Sequence, residues 1–208
     1  VHRHPRSRRG ALNTMHTLLS RPFGTLPELL ASYAQTRPAH PALVLGEQVL
    51  SFAQLHARVQ QVAGALQRDG VQAGQAVAIC AATSLAYVCT FLGAVQAGVT
   101  VAPLPPTATP EQLQMLSANA GAVRVFVDAQ TQACWDGTAL PRVLLDEPAW
   151  SHWLQGAPQP QPVQRQPHEP FNIIYSSGTT GLPKGIVQPC GMRWVQLQRS
   201  TATPDAVT

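Results

Sequence analysis

The chain has 208 residues, a formal net charge of +4 and 45% hydrophobic residues. That is enough apolar material for a core, so wholesale disorder is excluded, and one or two domains are expected. Charged residues make up only 12% and aromatics 6%, too few aromatics for a base-stacking surface repeated along a nucleic-acid strand.

The positive charge is local. Arg3, Arg6, Arg8 and Arg9 supply +4, residues 1–10 hold no acid, and the remainder therefore sums to zero. A basic tail is not a patterned basic face, so no nucleic-acid partner is expected. Residues 1–20 are read as a basic, disordered extension and residues 21–208 as the folded part. Ser7-Arg8-Arg9 superficially matches an export signal, but Arg21, Pro22, Pro27 and Glu28 interrupt any apolar segment behind it. No clear membrane span is read, and a soluble, cytoplasmic protein is expected. Cys80, Cys89, Cys134 and Cys190 form no C-x-x-C and have no zinc-finger spacing. They are read as reduced thiols, with no structural metal.

Thr25-Leu26-Pro27-Glu28 has the spacing of a capping box, with Pro in the first turn, and predicts a helix to about Gln35. Ala42–Leu45 and Gln48–Leu50, separated by Gly46-Glu47, predict a hairpin. Ser51 and Gln54 form a second box, and Leu55, Val59, Val62, Ala63 and Leu66 fall on one face of the helix behind it. Ala76–Cys80 is a short continuous apolar run, suited to a strand buried on both faces. Ser84–Gln96 is apolar nearly all round and predicts a fully buried helix. Strands are predicted at 99–103, 123–127 and 142–145, with a helix from Pro110 to about Asn119. The alternation implies an α/β fold of mostly parallel sheet layers with flanking helices. Residues 156–170 carry five prolines and no apolar period, and read as an extended connector. Phe171–Tyr175 is a further strand.

The stretch that follows, Ser176-Ser177-Gly178-Thr179-Thr180-Gly181-Leu182-Pro183-Lys184-Gly185, offers four hydroxyls, three glycines and one cation. Glycines let backbone N–H groups close on an anion, hydroxyls add donors, and a lysine adds a mobile point charge. This is the chemistry of a phosphate grip. It is not a Walker loop, because Pro183 and Gly185 stand where Gly and Ser or Thr are required. Gly185–Gln188 reads as strand, so the loop is placed between two strands of a hairpin. Of fourteen basic residues, thirteen are Arg, and the single Lys is Lys184.

Ile173 to Lys184 (IIYSSGTTGLPK) resembles the signature loop of the AMP-binding, adenylate-forming superfamily: acyl- and aryl-CoA synthetases, peptide-synthetase adenylation domains and luciferases. Leu50–Leu55, Gly70–Ile79 and Leu92–Pro105 resemble earlier elements of that superfamily in the same order. Two departures are Gln75, where an acid is usual after Gly74, and Pro189-Cys190, where a Ser/Thr-His pair is common. The resemblance implies an incomplete, N-terminal portion of the large domain, since the superfamily's later adenine, ribose and catalytic-lysine motifs have no counterpart in the sequence.

What the resemblance implies chemically is an ATP-dependent acid–thiol ligase working through an acyl-adenylate. ATP, Mg²⁺ and coenzyme A would be the cofactor and co-substrates, and a carboxylic acid and the missing C-terminal portion the partners. Ser176, Ser177, Gly178, Thr179, Thr180, Gly181 and Lys184 would bind the ATP phosphates. No catalytic base and no metal ligand is identified, and the seven histidines are dispersed. The alternatives are a non-catalytic or partner-dependent remnant with weak phosphate binding, or a fragment of a peptide-synthetase adenylation domain.

Overall fold

A computed structural model describes residues 17–176 and 184–202. Helix α1 (Leu26–Thr36) starts where the capping box predicts. Thr25 Oγ1 accepts from Glu28 N at 3.3 Å, and the Glu28 carboxylate accepts from Thr25 N at 2.7 Å. The same reciprocal arrangement starts α2 (Phe52–Arg68) at Ser51 and Gln54 and α4 (Pro110–Asn119) at Thr109 and Gln112. Strands β1 (Pro41–Leu45) and β2 (Gln48–Ser51) form an antiparallel hairpin between α1 and α2.

The main sheet contains β3 (Ala76–Cys80), β4 (Thr100–Pro103), β5 (Ala122–Val127), β6 (Arg142–Leu144), β7 (Pro170–Ser176) and β8 (Lys184–Pro189). Their spatial order is β6-β5-β3-β4-β7-β8. All neighbouring pairs are parallel except β7–β8, which is antiparallel. All five residues of β3 are buried. Val77 and Ile79 point into a core shared with α1, α2 and α3 (Leu85–Gln96), while Ala78 and Cys80 point into a second core shared with α4 and Trp135. Phe126 and Val125 of β5 divide between the two cores in the same alternating way.

Three features differ from the sequence reading. Helix α3 is not fully buried: Cys89, Thr90, Gly93, Ala94 and Val95 are buried, whereas Leu85, Tyr87, Val88, Phe91 and Leu92 are half-buried. The sheet and α2 close only one stripe of it. Residues 156–169 of the Pro-rich stretch lack helix and strand, but they form a strap laid on the helices rather than a free connector. Gln67 grips Gln161 through both its amide atoms, at 2.7 and 3.1 Å, and Arg165 Nη1 donates to Gly98 O at 2.8 Å. Finally, α5 (Ala149–Leu154) and α6 (Cys190–Ala202) were not expected. Among the described residues, no helix is long and apolar enough to cross a membrane.

Helices α2 and α3 approach so closely at Gly93 that a Cβ there would overlap the Val62 side chain. Gly93→Ala is expected to destabilise the protein by about 1–3 kcal/mol through overpacking. Combining it with Val62→Ala should recover little of the loss, because the Val62 Cβ that alanine keeps would itself overlap the new methyl. Urea denaturation of the single and double variants measures both, and a Gly93→Ala midpoint equal to wild type would contradict this packing.

Candidate functional site

Strand β7 leaves the core as it runs. Phe171 and Asn172 are buried, Ile173 and Tyr175 half-buried, Ile174 and Ser176 exposed. Because β7 lies parallel to β4, its C-terminal end emerges at the same sheet edge as those of β3, β4 and β5. That is the edge where open α/β sheets take their ligands. Strand β8 returns antiparallel, with Asn172 opposite Gln188, Ile174 opposite Ile186, Tyr175 opposite Gly185 and Ser176 opposite Lys184. The hairpin expected from sequence is therefore present. Ser176 and Lys184 close its last rung, and residues 177–183 connect them. Lys184 is exposed, and among the described residues it makes no ion pair. The other expected site residues, Ser177, Gly178, Thr179, Thr180 and Gly181, lie outside the described residues.

Space is tight just behind the lysine. A Cβ on Gly185 would stand 3.0 Å from Tyr175 Cε1 and 3.2 Å from Asn119 Oδ1, tighter than ordinary carbon contacts.

A cavity of about 860 Å³ lies elsewhere. Phe91, Arg165, Phe171, Cys190, Arg193 and Trp194 are among its lining residues. Phe171 and Cys190 belong to the opposite end of the β7–β8 hairpin from Ser176 and Lys184. Strand rise puts about 20 Å between the two ends. Burial pushes the thiols of Cys80 and Cys89 up to about 11, which keeps these two protonated at neutral pH. Among the described residues, no group of three His, Cys, Asp or Glu is placed to hold a metal.

One acid at the ligand-facing edge went unnoticed in the sequence. Asp128, directly after β5, accepts from Ala82 N at 2.7 Å, Thr131 N at 2.9 Å and Gln130 N at 3.1 Å. It ties the loop after β3 to the loop after β5. Burial alone would raise its pKa, but these donors and the Thr131 hydroxyl outweigh burial and hold it below the usual value. A lowered native pKa contributes stability that is present above the unfolded-state value of about 3.9 and lost as pH falls through the native one. Asp128→Asn is expected to cost about 1–3 kcal/mol at pH 7. It should also flatten the loss of stability between pH 5 and about pH 2. Urea midpoints across that range check the sign, and parallel wild-type and variant curves would refute it.

Comparison with known proteins bears on this edge. Residues 30–193 match the AMP-binding enzyme family. A linear gramicidin synthase from Brevibacillus parabrevis is 31% identical over 200 residues, covering 88% of this chain and 3% of that protein. A dimodular nonribosomal peptide synthase from Bacillus subtilis is 30% identical over 177 residues, covering 81% of this chain and 7% of that protein. Among solved structures, o-succinylbenzoate CoA synthetase from Bacillus subtilis, in complex with its acyl-adenylate intermediate, aligns with a TM-score of 0.74 at 21% identity, over 89% of this chain and 47% of that one. VinN in complex with 3-methylaspartate aligns with a TM-score of 0.78 at 23% identity, over 87% of this chain and 52% of that one. The chain thus spans about half the length of these solved neighbours. The family match takes in the two-faced sheet, the β7–β8 hairpin and its connecting loop, and the chain belongs to the AMP-binding enzyme family.

Proposed function

We propose that this chain carries the phosphate-gripping portion of an ATP-dependent ligase that activates a carboxylic acid as an acyl-adenylate and passes it to a thiol. The observation that supports this most is the pairing of Ser176 with Lys184 at the ligand-facing sheet edge, at the two ends of a Ser-Gly-Thr-Thr-Gly connection. In the first step, a carboxylate oxygen bonds to the α-phosphorus of ATP and the bond to the β-phosphate oxygen breaks, releasing pyrophosphate. In the second, a thiolate attacks the acyl carbon and AMP leaves. A carboxylate is already a nucleophile, so the first step needs no general base.

The chain's share is electrostatic. The Lys184 ammonium and the hydroxyls of Ser176, Ser177, Thr179 and Thr180 would hold the β- and γ-phosphates, and Gly178 and Gly181 would turn backbone N–H groups toward them. These donors neutralise charge that grows on pyrophosphate as it departs. Mg²⁺, when bound with ATP, supplies further neutralisation of the phosphates.

For the acceptor, the first reading is coenzyme A, the usual thiol in the superfamily that the sequence resembles. A second reading, activation of an amino acid for a carrier-bound thiol, draws support from the nonribosomal peptide synthase among the relatives. Supplying each acceptor in turn to the complete adenylate-forming enzyme separates the two.

Lys184→Ala in that enzyme is expected to slow ATP–pyrophosphate exchange by about 10²–10³, the scale for losing one preorganised donor. Thioester formation from preformed acyl-adenylate should be nearly unchanged, as should the melting temperature, because Lys184 is exposed. Equal losses in both half-reactions would mean that Lys184 is structural.

A further inference from the structure

The β7–β8 stem projects beyond its support. Strand β4 pairs with β7 at Val101 opposite Asn172. The rungs Ile174–Ile186, Tyr175–Gly185 and Ser176–Lys184 lie further toward the loop. Ile174, Ile186 and Val187 are 39%, 51% and 53% exposed, so one face of the stem and its outer edge have little apolar cover. A loop that must place several donors to within a fraction of an ångström is poorly served by such a stem.

A polar fastening stands there. The Tyr175 hydroxyl donates to the Leu116 carbonyl at 2.9 Å and lies 2.9 Å from Asn119 Oδ1, on the last turn of α4. Helix α4 is itself anchored, with Leu113 fully buried and Leu116 nearly so. Burial raises the Tyr175 pKa, so the hydroxyl keeps its proton at neutral pH. Gly185, opposite Tyr175, is the residue whose missing Cβ leaves space for the ring and for Asn119. The tyrosine reaches back from the rung next to Ser176 and Lys184 to a rigid helix.

We propose that Tyr175 and Asn119, with Gly185 making room for them, are positioning residues that pin the stem of the phosphate loop to the end of α4. The functional part of this rests on the reading of that loop given above. Neither residue would touch ATP. Each would act by fixing where Ser176 and Lys184 stand.

Tyr175→Phe removes the fastening with little collateral damage. The Leu116 carbonyl keeps its bond from Ala120 N at 2.9 Å, and Asn119 is exposed, so water replaces the lost partner. In the 208-residue chain, Tyr175→Phe is expected to speed amide hydrogen exchange at Ser176, Lys184 and Gly185 by about 3–10-fold, the equivalent of one hydrogen bond, and Asn119→Ala by less, because the Leu116 carbonyl still takes the hydroxyl proton. Amides of β3 should be unaffected. In the complete enzyme, Tyr175→Phe should lower kcat/KM for ATP in pyrophosphate exchange by about 3–10-fold and Asn119→Ala by less, and both should leave thioester formation from preformed adenylate unchanged. Unaltered exchange in the stem overturns the pin, and faster stem exchange with undiminished ATP use overturns the positioning role. Lys184→Ala run alongside separates this from the loop reading: full ATP use in that variant defeats the reading of the loop alone, and the stem exchange still decides whether Tyr175 holds the hairpin.

Discussion

The interaction on which the rest depends is the double-sided burial of β3. Its five residues carry no side chain that seeks water, and they send Val77 and Ile79 to one core and Ala78 and Cys80 to the other. A strand buried on both faces needs helices above and below and neighbours on each side, and parallel neighbours joined by crossover helices supply all of these. With β3 paired in parallel to β4 and β5, and β4 to β7, the C-terminal ends of four strands share one edge. The proposed phosphate chemistry takes place at that edge. The Asp128–Ala82 tie and the exit of β7 are consequences of the same layering.

Much of this was legible because it is local. A capping box declares itself within four residues, which is why the starts of α1 and α2 stand where Thr25 and Ser51 put them. A run such as Ala76–Cys80 is too short for a helix and too apolar for a surface strand. The stem of the proposed phosphate loop was legible for another reason: Phe171–Tyr175 and Gly185–Gln188 read as strands on either side of a Ser/Gly/Thr stretch, and the lone lysine stands at the foot of the second.

What was missed depends on long-range partners. Helix α6 begins directly after Pro189, and its chief anchor is Trp194, whose Nε1 donates to Arg21 O from 173 residues away at 3.1 Å. No window of sequence contains both ends of that contact. The strap at 156–169 has the composition of a linker, and only the pairing of Gln161 with Gln67 and of Arg165 with Gly98 reveals that it is packed. The half-burial of α3 depends on which of its stripes the sheet and α2 cover, and an all-apolar helix does not announce that. Tyr175 was legible as part of a strand, but its bond to the end of α4 joins residues 59 positions apart.

The central claim is that the Ser176–Lys184 end of the hairpin is where this chain meets phosphate, rather than the cavity at the hairpin's other end. A titration of the ¹⁵N-labelled 208-residue chain with inorganic tripolyphosphate, followed by amide chemical shifts, tests this directly. The predicted result is saturable shifts concentrated between Ser176 and Gly185 that vanish in Lys184→Ala. Shifts centred instead on Arg165, Cys190 and Arg193 around the cavity, or shifts that persist unchanged in Lys184→Ala, would contradict it.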